Sequence, residues 1–367
     1  MTQALFCDQI QPQIADIQPY LPGKPISELQ RELNLKRISK LASNENPLGA
    51  SPKVLQAIRD DLIDIARYPD GSAYYLKQAL ADFLGRQTEE IVLGNGSNEL
   101  LELVARIFAG PGDEVIYSQY AFAIYAISTQ IVGATGVEVP AKNWGHDLEA
   151  MANAITDKTK IIYLANPNNP TGTLFTKAEW EAFMRKVPSN VIVVLDEAYF
   201  EYVTDPEYAD GMAYLDQYPN LLVSRTFSKA YGLASLRLGY MVCSKELAGY
   251  INKVRAPFNV NHYAQVAAVT ALKDQNFVKR SVELNQQGMA QLLAVFEHHG
   301  LDYIPSQGNF VCASFGDQTS QINDELLKKG VIVRPVSNYG MKDYLRVSIG
   351  TSTENQHFID AVLSLIK

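Results

Sequence analysis

The strongest pattern along the chain is a set of short, wholly apolar runs separated by polar, turn-rich stretches. In Val191-Ile192-Val193-Val194-Leu195, five apolar residues in a row, four of them β-branched, lead straight into Asp196-Glu197. A run too short for a helix and apolar at every position predicts a strand buried on both faces, as in a parallel sheet. The same design recurs twice: in Ile161-Ile162-Tyr163-Leu164-Ala165, which runs into an Asn/Pro/Gly turn at 166–172, and in Leu221-Leu222-Val223. From roughly Ile91 to Val242 strand and helix signals alternate, which predicts an α/β fold with a doubly wound, mostly parallel sheet. Ser51-Pro52, Thr176-Lys177-Ala178-Glu179 and Thr351-Ser352-Thr353-Glu354 are helix-start signals. After Pro257 the pattern changes to long helices, one of them amphipathic from near Gln275 to His298-His299. Short strands follow around Phe310-Val311-Cys312 and Val331-Ile332-Val333, and a last helix closes the chain.

In open α/β sheets the ligand crevice lies at the carboxyl ends of the strands, so the polar residues that end these runs are the candidates for chemistry. Lys229 follows one run in Thr226-Phe227-Ser228-Lys229-Ala230-Tyr231-Gly232, and Arg237 lies eight positions on. An amine among small residues and hydroxyls, with an arginine nearby, suits a Schiff base with a phosphorylated carbonyl cofactor. Pyridoxal 5'-phosphate (PLP) requires an amine for its aldehyde, a carboxylate for its ring nitrogen and donors for its phosphate. Asp196 is the expected carboxylate rather than Glu197, because alternation at a strand end sends the two side chains to opposite faces. The amide of Asn169 is placed to serve the ring oxygen. The stretch Gly94-Asn95-Gly96-Ser97-Asn98-Glu99 reads as a glycine loop opening a helix, where free N–H groups and the helix dipole favour an anion. Ser97 and Asn98 would sit there.

The lysine segment, the 166–172 turn, Asp196-Glu197-Ala198-Tyr199, the early Lys40-Leu41-Ala42-Ser43-Asn44-Glu45-Asn46-Pro47-Leu48-Gly49 and the late Leu345-Arg346-Val347-Ser348-Ile349-Gly350-Thr351 come in a telling order. Through them the chain resembles, over essentially its whole length, the fold-type I PLP-dependent aminotransferases, and among these the enzymes acting on L-histidinol phosphate. The resemblance implies that Lys229 carries the cofactor as an internal aldimine and shuttles the proton. It places Asp196 on the pyridine nitrogen, Asn169 and Tyr199 on the ring oxygen, and Thr226, Ser228 and Arg237 at the phosphate. Tyr120 would stack on the ring, although Ser118-Gln119 precede it where many relatives have Pro followed by Ser or Thr. Tyr68 would reach the phosphate of a neighbouring subunit's cofactor, which makes the enzyme a homodimer. Arg346 would bind the α-carboxylate and Arg334 a second substrate anion, with Tyr20 and Asn44 also lining the site. The implied organisation is an N-terminal arm at 1–30, a small domain from 31–43 and 256–367, and a large PLP-binding domain at 44–255.

Composition is consistent with this reading. A chain of 367 residues with 47% apolar content can build two domains, each with a core. The net charge of −8 argues against a nucleic-acid partner. No apolar stretch approaches the ~20 residues of a membrane span, and no basic-then-apolar leader is seen at Met1–Asp8. Cys7, Cys243 and Cys312 are scattered singly, which suggests a reducing cytoplasm without disulfides or a zinc site. The five histidines show no helical ligand spacing, so no metal is expected. The expected reaction is amino transfer from L-histidinol phosphate to 2-oxoglutarate. Rival readings are an aromatic amino-acid aminotransferase, a threonine-phosphate decarboxylase on the same scaffold, and a PLP-binding regulator without turnover.

Overall fold

The structure, a computed structural model, describes residues 9–20, 23–62 and 65–366. Cys7 and the leader region at Met1–Asp8 lie outside the described residues. The chain first contributes a two-residue strand, Ser39–Lys40 (β1). Seven strands of a central sheet follow: Ile91–Asn95 (β2), Glu114–Ser118 (β3), Thr135–Val139 (β4), Thr159–Ala165 (β5), Ile192–Asp196 (β6), Leu221–Thr226 (β7) and Leu238–Val242 (β8). Their order across the sheet is β2-β8-β7-β6-β5-β3-β4. The pairs β3/β4, β3/β5, β5/β6 and β6/β7 are parallel, and β8 runs antiparallel to both β2 and β7. Strand β2 therefore points the same way as β7, so its carboxyl end joins those of β5, β6 and β7 at one edge of the sheet.

Both faces of this sheet are covered, which is why its strands read as unbroken apolar runs. Val193 and Leu195 of β6 face a core that includes Trp180, Phe183, Leu76, Leu80 and Val54. Their neighbours Ile192 and Val194 face the opposite core, with Leu100, Val104, Tyr125 and Ile251. The helix His262–Lys273 packs in the first of these cores through Ala264, Ala267, Ala268 and Ala271, and Val278 from the following helix joins it. The large core thus extends well past residue 256, and the change to the second core falls inside the 24-residue helix Gln275–His298.

The second core gathers Leu292 and Phe296 from the far half of that helix, Phe358 and Val362 from the last helix Ser352–Leu363, and Leu41. It lies against a four-stranded antiparallel sheet built from Tyr303–Ile304 (β9), Phe310–Ser314 (β10), Arg334–Pro335 (β12) and Tyr344–Ser348 (β13). Val331–Ile332 (β11) pairs in parallel with β1, which stitches the early segment onto the late one. The helix Ile26–Leu33 belongs with this part too, since Leu29 packs on Ala42 and Ile332. Thr176 and Thr351 each form the reciprocal capping box, and Ser51 accepts from the Lys53 amide. Among the described residues no helix is long and apolar enough to cross a membrane.

Candidate active site

A single cleft collects the ends of β5, β6 and β7, the start of the helix Ser97–Phe108, the segment 42–44 and the paired strands β12 and β13. Lys229, Asp196, Asn169, Tyr199, Ser97, Asn98, Thr226, Ser228 and Arg237 all line it. So do Tyr20, Asn44, Arg334 and Arg346.

Asp196 ends β6 on the side of Ile192 and Val194, and its Oδ2 accepts from the Tyr125 hydroxyl at 2.9 Å. Its Oδ1 is buried and has no partner of hydrogen-bond geometry among the described residues, although the Ala198 amide is close enough to lower its pKa. Burial dominates and raises the carboxyl to about 6, against the pull of Tyr125, Ala198 and Lys229. Glu197 leaves the strand the other way. There Arg225 Nε donates to Oε2 at 2.8 Å, and the Gly211 amide and the Tyr208 hydroxyl donate to Oε1 at 2.7 and 3.0 Å. One carboxylate is satisfied by the fold, and the other lines the cleft with one of its two oxygens lacking a partner of hydrogen-bond geometry among the described residues.

The Lys229 amine is buried and donates to the Ser43 carbonyl at 3.1 Å. Loss of water lowers its pKa to about 8, with Arg346 and Arg237 pushing the same way and Glu45 and Asp196 opposing. Tyr199 is raised to about 12 by burial, and its hydroxyl oxygen accepts from Asn44 Nδ2 at 2.9 Å, leaving its own proton to donate. Asn169 Oδ1 accepts from Arg346 Nη1, so the free end of that amide is the donor Nδ2.

At the other end of the cleft backbone and side chains close on one point. Gly96, at φ +82°, precedes the first turn of the helix Ser97–Phe108, and a Cβ there would overlap Arg237 Nη2. A Cβ at Gly239 would overlap the Ser97 amide. With Thr226 and Ser228 buried alongside, this corner offers N–H, hydroxyl and guanidinium donors, the composition of an anion site.

Arg334 and Arg346 stand directly opposite each other on β12 and β13. Both are largely buried, at 8% and 6% exposure, although like charges facing across a strand pair are unfavourable. Arg346 Nη2 donates to the Ala42 carbonyl at 2.8 Å while its Nε is buried without a partner. Arg334 lies 5.6 Å from the centre of the Tyr20 ring. Such a pair is suited to acidic ligands.

Two sequence-derived residues are not in the wall. Tyr120 points away and packs on Trp144, 5.2 Å between ring centres, because the turn after β3 directs it toward Ile304, Cys312 and Met341. The ring from this turn that does line the cleft is that of Phe122, two residues later. Phe122 and Tyr125 were both missed by the sequence reading. The signal that could have found them is the Phe-x-x-Tyr spacing at the start of the helix Ile124–Ile131. Tyr68 is 82% exposed, stacked on Phe258 at 4.7 Å, and lies outside its own chain's cleft.

Comparison with known proteins agrees with this geometry. The family model for aminotransferase class I and II matches residues 36–362. A protein of Hydrogenovibrio crunogenus named histidinol-phosphate aminotransferase 2 is 70% identical over 367 residues, covering 100% of this chain and 98% of that protein. One of the same name from Pseudomonas fluorescens is 53% identical over 363 residues, covering 98% of each chain. Among solved structures, histidinol-phosphate aminotransferase from Sinorhizobium meliloti in complex with pyridoxal-5'-phosphate matches with a TM-score of 0.87 at 29% identity, covering 98% of both chains.

Proposed function

The chain belongs to the class I and II aminotransferases, and on that premise we propose that it moves an amino group from L-histidinol phosphate to 2-oxoglutarate in histidine biosynthesis, with PLP as cofactor. The observation that carries this is a single cleft holding a lysine of lowered pKa, an incompletely paired carboxylate, an anion corner and two facing arginines. Its fold is fold type I of the PLP-dependent enzymes.

The residues fit PLP on all three requirements. The Asp196 carboxylate, which lines the cleft and has one oxygen without a partner of hydrogen-bond geometry among the described residues, is the acceptor that a protonated ring nitrogen needs. Ser97, Asn98, Thr226, Ser228 and Arg237 would hold the phosphate, with Gly96 and Gly239 allowing close approach. Asn169 Nδ2 and the Tyr199 hydroxyl are the donors left for the ring oxygen. When bound, PLP supplies an aldehyde that takes up the amino group and a protonated ring that accepts the electron pair left at the substrate carbon. Lys229 Nζ, its pKa brought down to about 8 by burial, would hold the cofactor, then take the α-proton and return it. Phe122 forms a ring wall of the cofactor site in the role expected of Tyr120. Arg346 and Arg334 orient the substrate's acidic groups, and the same pair serves a phosphate-bearing amine and a dicarboxylate in turn.

The active form in this proposal is a cytoplasmic homodimer. Ile65, Tyr68, Tyr74 and Tyr75 form an exposed apolar group on one side of the large core, as a surface that another copy covers would. Tyr68, outside its own cleft, would reach the cofactor phosphate of that copy. Within each protomer, the part around residues 31–43 and the chain beyond the middle of the helix Gln275–His298 would move as a smaller body against the large one.

The test is to mix the PLP-loaded protein separately with histidinol phosphate, phenylalanine, glutamate and threonine phosphate, and to follow conversion to the pyridoxamine form spectroscopically. Conversion by histidinol phosphate and glutamate is expected. Conversion by phenylalanine and glutamate alone would overturn the substrate assignment, and carbon dioxide release from threonine phosphate would overturn the reaction type.

A further inference from the structure

Asp196 is bonded on one oxygen only, and the donor is a tyrosine outside the sequence-derived site. Tyr125 lies in the first turn of the helix Ile124–Ile131 and is fully buried. Its ring stacks on Tyr163 of β5, with centres 4.8 Å apart and planes within 3°. Phe122 meets it edge-on at 6.0 Å and 88°. Tyr163 is in turn anchored, its hydroxyl donating to the Leu101 carbonyl at 2.8 Å. The Tyr125 hydroxyl therefore has a fixed position, and it uses its one proton on Asp196 Oδ2. This contact occupies Oδ2, while Oδ1 is enclosed by the chain with no partner of hydrogen-bond geometry among the described residues.

We propose that Tyr125 is a positioning residue: clamped between Tyr163 and Phe122, it fixes the rotation of the Asp196 carboxylate at the edge of the cofactor site. A carboxylate that is free to turn about its terminal bond has a broad, roughly two-fold torsion, so an unclamped Asp196 would spend part of its time misdirected. The aromatic stack prevents this by holding the donor at one point, and the same ring supports Phe122, so the edge and the face of the cofactor site share one brace. The inference rests on the PLP reading of the cleft.

Tyr125→Phe keeps the ring and deletes only the hydroxyl. With apoprotein reconstituted with PLP, the variant is expected to bind the cofactor about tenfold or more weakly, the effect of a hydrogen bond to a charged group. Its kcat should fall in similar proportion with the KM for glutamate little changed, and its melting temperature should stay within a few degrees of the parent. In an Asp196→Asn background the same substitution should change PLP affinity by less than about threefold, because the two residues act as a unit. Equal PLP affinity in Tyr125→Phe and the parent, or an equal loss in both backgrounds, would overturn the proposal. A parent protein that takes up no PLP would instead overturn the reading beneath it, and this inference with it.

Discussion

Asp196 and Glu197 are adjacent carboxylates at the end of one strand, and they show what each face of the sheet is for. On the Glu197 face every oxygen is paired: Arg225, Gly211 and Tyr208 converge on it, Asp210 takes the other side of Arg225 at 2.7 Å, and Phe200 lies 3.4 Å from the guanidinium carbon. On the Asp196 face one oxygen has no partner of hydrogen-bond geometry among the described residues, and the Lys229 amine is desolvated, with Glu45 and Asp196 opposing that shift only through their charge. The first arrangement serves the fold. The second leaves buried polar groups unsatisfied, which is costly unless a ligand completes them.

The largest effect that would sharpen the contrast is Lys229→Ala. It should cut turnover by about 10³-fold or more, as loss of both cofactor anchor and proton shuttle, while the apoprotein stays folded. Normal turnover in that variant would remove the functional side of the comparison. Next comes the pair of neighbours, whose substitutions should act in opposite senses. Asp196→Asn should lower turnover by about 10²-fold yet stabilise the apoprotein at pH 8. A carboxyl whose folded pKa, here about 6, lies above its ordinary 3.8 adds stability below about pH 4 and loses it as pH rises through 6. The gain from removing the charge should therefore be on the order of 2–3 kcal/mol at pH 8 and vanish below pH 4. Glu197→Gln should instead cost about 3 kcal/mol by exposing a buried arginine to partial loss of its partner, with kcat of the folded enzyme within a few-fold of the parent. Denaturation of both apoproteins across pH, beside assays of the loaded enzymes, measures this pair. Loss of stability in both would break the comparison.

The smallest effect concerns the pH of cofactor capture. Since the amine of Lys229 titrates near 8, covalent capture of PLP by the apoprotein should speed up about tenfold per unit below that pH and level off above it. A rate that keeps rising toward pH 10 would show that the lysine is not desolvated.

Much of this was legible in the sequence because strand periodicity carries it. Alternation along Val191–Glu197 was enough to assign Asp196 to the face of Ile192 and Val194, and the cores divide those residues that way. Periodicity ends where turns begin, and there the reading failed. Tyr120 and Phe122 are two residues apart in a turn after β3, and only the path of that turn decides which ring enters the cleft. The extent of the large core was equally hidden. The helix His262–Lys273 contacts it through alanines, whose small size permits close helix packing without a strong hydrophobic signal. The Tyr125 contact was invisible because it joins residues 71 apart through one hydroxyl.

The two glycines at the anion corner have a consequence for how this protein can change. Arg334 and Tyr20 line the cleft through their side chains, with 5.6 Å between the guanidinium carbon and the ring centre. At Gly239 a single added carbon would strike the Ser97 backbone, and at Gly96 it would displace the Arg237 guanidinium on a backbone at φ +82° that side chains rarely adopt. The corner that would grip the cofactor is thus held to glycine at two points by the path of the backbone itself.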